Sequence, residues 1–356
     1  MMQPEPRSNS PSSVAEIAPA SVEDLRRHAR SYLARVLAGM ESRTSQQSHI
    51  PVLGDAALAQ RLFSVITSRS FCYLGRKNAE VYRENVVGSL RKRMATGAPF
   101  RFFYDIGPGY HATTRPGVLP LRYEVGLSEL LILSQVNALC RRISELYEPG
   151  ATFFLVIDNL CGLRTNDIPL RLTEEFVRQL RRLIQDLRLS DRVGLIVESE
   201  EFEVEEYDRL LADVEIQPPV SVFELSPWAI DNVSRFLGRR CTATEAAERI
   251  ERYRRTSSVT DRLIDRLVQD VHMTQRATGA TLGFRPFPGG AQRTQAGELV
   301  LRFGSRGRVC PLLLTSRNVA DYDCVRLELP DTLPESVTSV TFALPRAPER
   351  SADSAK

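Results

Sequence analysis

The stretch that decides the fold is Tyr147-Glu-Pro-Gly-Ala-Thr-Phe-Phe-Leu-Val-Ile-Asp-Asn159. Glu148-Pro-Gly150 punctuates the chain as a turn. The run Ala151 to Ile157 is apolar and too short for a helix, so it reads as a strand buried on both faces of a parallel sheet. Upstream, Leu127 to Tyr147 predicts a long helix with Leu130, Leu131, Leu133, Val136, Leu139, Cys140, Ile143 and Leu146 on its buried side. Before that helix, Pro99 to Ile106 alternates and carries aromatics, which predicts another strand. Downstream come a loop to Leu172, a helix from Thr173 to Leu187 and a second buried strand, Arg192 to Val197, ending in Glu198-Ser-Glu-Glu201. Strand, helix and strand in this order make βαβ units with right-handed crossovers, so the fold class is α/β with a mainly parallel sheet. Ligands of such sheets sit outside the carboxyl ends of the strands, here Asp105 to His111, Asp158 to Asn166 and Glu198 to Glu201.

The rest of the chain divides around this centre. Residues 1–20 are rich in Pro, Ser and Gln without apolar period and read as a disordered tail. A helical region follows over 21–97, opening at Ser21-Val-Glu-Asp24 with acids in the first turn and closing at Gly97. The α/β core spans 98–275, its charged helical end interrupted by Pro218-Pro219. Residues 276–346 carry strand-like runs at Glu298–Phe303, Val309–Leu314, Cys324–Leu329 and Val337–Phe342, a strand-rich part that extends the sheet or forms a subdomain. Residues 347–356 read as a second disordered tail, and no internal repeat is present.

Composition excludes several function classes. The 356 residues carry 47 Lys plus Arg against 44 Asp plus Glu, a net charge of +3, and only Lys77, Lys92 and Lys356 are lysine. The arginines are interleaved with acids along the whole chain, a skew that GC-rich bacterial codon usage produces and that does not mark a nucleic-acid binder. No stretch approaches a membrane span and no apolar signal core opens the chain, so a cytoplasmic address is expected. The six cysteines form no C-x-x-C pair and read as reduced, mostly buried thiols. With four histidines there is no H-E-x-x-H and no metal is expected; G-x-G-x-x-G, the P-loop pattern and G-x-S-x-G are also missing.

What remains is the set at the strand ends. Asp105 and His111 flank a loop rich in Gly, Thr and Arg, in which His111 suits a general base and Arg115 an anion clamp; an ordinary loop histidine is the alternative. Asp158-Asn159 follows a buried strand, where a carboxylate needs a donor or a substrate ammonium. Helix capping or a turn is the other role open to Asp158. Glu198, Glu200 and Glu201 belong to the acidic run Glu198 to Glu206 and read as a solvated face.

The segment Pro99 to Leu187 resembles the isonitrile (isocyanide) synthase family, also labelled pyoverdine or dityrosine biosynthesis proteins. The resemblance is carried by the strand that ends in a proline-containing loop, the helix bearing Leu139-Cys140-x-x-Ile143, then Tyr147-Glu-Pro-Gly-Ala151, a strand and an aspartate. It implies a Rossmann-like α/β domain with a smaller C-terminal part. It also implies conversion of the α-amino group of tyrosine or tryptophan into an isonitrile with ribulose 5-phosphate as carbon donor, without metal or organic cofactor. The chain departs from the family at three places. A Phe-Pro-Phe-Lys loop is replaced by Ile106-Gly-Pro-Gly-Tyr-His111. Gly283-Phe-Arg-Pro-Phe287-Pro288 has phenylalanine where the family has histidine in Arg-Leu-Ser-Ile-His-Pro. Thr315-Ser-Arg-Asn318-Val stands in place of Thr-Pro-Trp-His.

Arginine neither forms an imine with a ketose nor moves protons near neutral pH, so the sugar-phosphate chemistry does not carry over directly. The expectation is a natural-product biosynthetic enzyme acting on the amine of an amino acid or amino-acid derivative. Asp158 and Asn159 are expected at the substrate ammonium, His111 as base, Arg115, Arg285 and Arg317 at a carboxylate or phosphate, and Asp105 beside the substrate. Two alternatives stand: an aminoacyl-tRNA-dependent acyl transferase, with Arg91-Lys-Arg93 on tRNA phosphates, and a non-catalytic relative that binds or scaffolds a biosynthetic enzyme.

Overall fold

The computed structural model describes residues 21–41, 54–72, 80–106, 124–215, 220–227, 229–230, 233–234, 239–267, 284–285, 287, 298–304, 307–314 and 318–346. The chain enters through three helices, α1 (Val22–Glu41), α2 (Asp55–Ile66) and α3 (Arg83–Ala95). Ser21 caps α1: its hydroxyl accepts from the Asp24 amide at 3.1 Å while the Asp24 carboxylate accepts from the Ser21 amide at 3.3 Å, a reciprocal arrangement that satisfies two otherwise unpaired donors. Leu25, Ala29 and Leu33, spaced by four, are buried on one face of α1.

The centre is β1 (Phe100–Asp105), α4 (Leu127–Ser144), β2 (Ala151–Ile157), α5 (Asn159–Asn166), α6 (Leu170–Asp186) and β3 (Val193–Val197). The three strands form one parallel sheet in the order β1-β2-β3, with Phe103 opposite Phe154 and Phe154 opposite Gly194. Gly150 starts β2 at φ +71°, and a Cβ there would lie 2.7 Å from Ser144 Oγ, so the turn requires glycine. Tyr147, one turn earlier, donates its hydroxyl to Ala98 O at 2.9 Å and pins the turn to the approach of β1. One expectation is corrected here: the stretch after Asn159, read as a loop, contains the helix α5, and α6 begins at Leu170 rather than Thr173. Gly162 and the polar composition of α5 hide it, because intrinsic propensity is overridden by caps supplied from elsewhere in the fold.

α4 is the central helix. Every residue from Leu127 to Leu133 is buried, against α1 and α2 as well as the sheet. Its first turn has a glycine, Gly126, at the N-cap, and Glu129 reaches back to accept from the Gly126 amide at 2.7 Å and from Ser128 Oγ at 2.7 Å. Full burial raises the Glu129 carboxyl above its ordinary value of 4.5, against the lowering effect of those hydrogen bonds. A raised folded value means that the folded state holds the proton longer than the unfolded chain. Stability is therefore greatest below 4.5 and falls as pH rises through the raised value. Glu129→Gln, which keeps an acceptor for Gly126, is expected to remove this decline; unfolding free energies measured across that window should differ in slope between the two proteins.

Beyond β3, the helical turn α7 (Glu198–Glu201) leads to α8 (Val204–Ala212) and the long α9 (Ala243–Leu267). A second sheet follows, β4 (Glu298–Phe303), β5 (Val309–Leu314), β6 (Tyr322–Glu328) and β7 (Ser339–Pro345), in the order β5-β4-β7-β6. Its pairings are antiparallel except β4 with β7. The strand-rich part is thus a sheet of its own rather than an extension of the first. It packs on α1 and α4, and Leu301, Leu327 and Phe342 join the same core as Leu130 and Phe153. Among the described residues, no helix is long and apolar enough to cross a membrane.

Candidate functional site

The carboxyl ends of β2 and β3 gather most of the buried polar residues found among the described residues. Asp158 directly follows β2 and is 7% exposed; Asn159, Thr165, Thr173, Glu198, Thr256 and Thr260 are more deeply buried. Asn159 and Ser199 clamp the two strand ends together: the Asn159 amide donates to Ser199 Oγ at 2.7 Å, and its carbonyl oxygen accepts from the Ser199 amide at 3.0 Å. Glu198 crosses the other way, one oxygen accepting from the Cys161 amide at 2.9 Å and the other from the Thr260 hydroxyl of α9. Each strand end thereby supplies an acceptor to the first turn of the helix that follows the other strand.

α8 and α9 close the cluster. Thr256 Oγ1 lies 2.9 Å from Thr165 Oγ1 and 3.2 Å from Cys161 Sγ. Tyr207 of α8, fully buried, donates to Thr256 O at 3.1 Å. Burial pushes the Tyr207 phenol far above its ordinary range, and the acids Glu198, Cys161 and Asp158 push it the same way. The same burial favours the neutral hydroxyl that donates to Thr256. Arg164 of α5 forms a two-point pair with Asp208 of α8 at 2.7 and 2.5 Å, which fixes α5 against α8 at the rim.

The expected site residues fall unevenly on this geometry. Asp158 and Asn159 sit together at the end of β2, Asn159 with its amide engaged by Ser199 and, at 3.4 Å, by Thr173. Asp105 is the last residue of β1, in register with Val156. Its side chain and the whole of His111, Arg115 and Arg317 lie outside the described residues. Arg285 is half-buried on a separate segment, its amide donating to Phe71 O at 2.8 Å, beside Phe284, whose ring packs on Tyr104 and Phe153. Phe287 is fully buried in the main core.

Glu198 is a correction. Glu200 and Glu201 are exposed as the acidic run suggests, with Glu200 paired to Arg181, but Glu198 is 0% exposed and is the hub of the cluster. Its position directly after a buried strand was the available signal. Thr256 and Thr260 were also legible in principle, since Thr256-Ser-Ser-Val-Thr260 breaks an otherwise charged helix with an uncharged four-residue spacing. All six cysteines are free thiols; Cys72, Cys140 and Cys161 are buried and the other three half-buried, with Cys140 pushed up to about 12 by burial.

A separate groove of about 360 Å³ runs between α6 and the second sheet, walled by Glu175, Arg178 and Arg182 on one side and Arg326, Glu335 and Thr338 on the other. Its charges largely answer one another, with Arg178 on Glu175 at 2.5 Å and Arg326 near Glu124 at 4.0 Å. None of the strand-end residues lines it.

A parallel sheet flanked by helices, with its buried polar groups gathered at the carboxyl ends of the strands, defines a Rossmann-like α/β protein. The fold is similar to that of the PvcA protein from Pseudomonas aeruginosa: the similarity covers 81% of this chain and 100% of that chain at a TM-score of 0.59 and 17% identity. The resemblance read from Pro99 to Leu187 and the structural similarity therefore agree on the fold. Tyrosyl-tRNA synthetase from Leishmania major, in complex with tyrosinol, overlaps 60% of this chain and 26% of its own at a TM-score of 0.31 and 12% identity, too little to support any argument. No protein-family model matches the sequence, and comparison with curated proteins gives no match.

Proposed function

We propose that this chain is a natural-product biosynthetic enzyme that acts on the amine of an amino acid or amino-acid derivative at the carboxyl ends of β1, β2 and β3. One observation carries the reading: the carboxylate of Asp158 is nearly buried at the end of a central strand, yet makes no capping hydrogen bond to the helix it precedes. A carboxylate kept there for something other than its own helix suits a substrate ammonium. In this reading Asp158 orients the amine, and His111 removes the proton that must leave before the nitrogen attacks an electrophilic carbon. Arg115, Arg285 and Arg317, with Asp105, frame the remaining polar groups of the two substrates, a carboxylate or a phosphate. Asn159 holds the strand ends in place and acts on the substrate only through Asp158. The PvcA-like fold supports the placement of the site, and the carbon donor is either a sugar phosphate or an acyl ester such as a charged tRNA.

A second reading, a non-catalytic relative, draws on Phe287. It occupies the place where the family resemblance has histidine, and it is packed into the core. Incubation with a panel of amino acids, with and without ribulose 5-phosphate or charged tRNA, separates the two when followed by mass spectrometry. The enzyme reading expects a mass change on an amine-bearing substrate; silence across the panel favours the binding relative.

A further inference from the structure

We infer that Glu198 is a positioning residue: it caps α5 across the sheet in place of Asp158, and so keeps the Asp158 carboxylate from capping its own helix. The backbone places Asp158 as the N-cap of α5, since its carbonyl accepts the first intrahelical bond, from Gly162 at 2.8 Å. Such a residue ordinarily turns its side chain onto the amide two or three positions on, which here is Leu160 or Cys161. The Cys161 amide is instead taken by Glu198 Oε2 at 2.9 Å, from the end of the neighbouring strand. The second Glu198 oxygen is held by Thr260, so α9 fixes the carboxylate in its capping position. α9 is itself seated by the Thr165–Thr256 contact and by Tyr207, which makes Asp158 dependent on residues of three other elements.

The cap stands independently of the proposed amine site, whereas its effect on substrate rests on that site. In the Glu198→Ala variant, the Cys161 amide is left open to the Asp158 carboxylate, which takes over the cap, so amide exchange at Cys161, followed by NMR, should rise less than tenfold. In the Glu198→Ala/Asp158→Ala variant no cap remains, and exchange should rise by at least a hundredfold, while Asp158→Ala alone leaves it unchanged. Glu198→Gln, which retains an acceptor and presents an amide to Thr260 Oγ1, should resemble the parent and serves as the reading if Glu198→Ala does not fold. Additive effects of the two alanine substitutions on Cys161 exchange, or a Cys161 amide no better protected in Glu198→Gln than in the double variant, would overturn the inference.

The dependent part is function. With the amino acid found by the panel above, Glu198→Ala should raise KM at least tenfold with a smaller change in kcat, and Glu198→Gln should restore it to within about threefold. An unchanged KM in Glu198→Ala would sink this link between cap and site. If no amino acid is processed, the proposed function fails while the exchange cycle still decides the cap.

Discussion

Asp158→Ala is expected to lower kcat/KM for the amine substrate by a hundredfold or more without unfolding the protein. Asp158 is 7% exposed, so the ammonium proposed to sit against it would be largely out of water. Removing one member of a buried ion pair leaves the other charge uncompensated, at a cost of about 3–5 kcal/mol, roughly two to three and a half powers of ten. The fold should survive, because the first turn of α5 is held by Glu198 rather than by Asp158. Asp158→Asn keeps the shape and removes the charge, so it should fall between the parent and alanine, chiefly in KM. Steady-state kinetics with the substrate identified by mass spectrometry measures both, and a loss smaller than threefold in Asp158→Ala would remove Asp158 from the site.

The largest effect on stability is expected at Gly194. Phe103, Phe154 and Gly194 stand in one row across the three strands, and the Phe103 and Phe154 rings stack at 5.2 Å with 11° between their planes. A Cβ built on Gly194 would lie 2.7 Å from Phe154 Cδ1 and 2.8 Å from Cε1, inside any normal contact. To make room, the Phe154 ring must shift out of its present stack on Phe103. Gly194→Val therefore combines overpacking, about 1–3 kcal/mol, with loss of a ring pair, about 0.5–1.5 kcal/mol. Denaturant titration should show the sum as a lower midpoint at unchanged slope, and Phe154→Leu in the same chain should recover part of it. A valine variant as stable as the parent would mean that β3 is not paired in this register.

The fold was legible wherever local pattern and tertiary demand agreed. The Glu148-Pro-Gly150 turn and the apolar run after it announce β2 because a turn needing positive φ and a strand buried on both faces leave direct marks on composition. α5 was hidden because its stability comes from outside itself: its first-turn cap is Glu198, and its rim contact is Arg164 on Asp208. The same distance effect hid Glu198 within an acidic run. Residue type reports that Glu200 and Glu201 face water, but which carboxylate turns inward is decided by Cys161 and Thr260, far along the chain. The burial of Asp158 was legible, because a carboxylate directly after a buried strand is anomalous on its own terms. The role of Asn159 was not, since Ser199 and Thr173 become its neighbours only once β3 and α6 are in place.

Whether Asp158 receives an amine is read by isothermal titration. Each amino acid of the panel is titrated beside the acid that lacks its amino group, against the parent and Asp158→Ala. At least one amino acid is expected to bind the parent about a hundredfold more tightly than its amine-free counterpart, with that preference abolished in Asp158→Ala. Equal binding of the two compounds to the parent, or a preference that survives in Asp158→Ala, would contradict it.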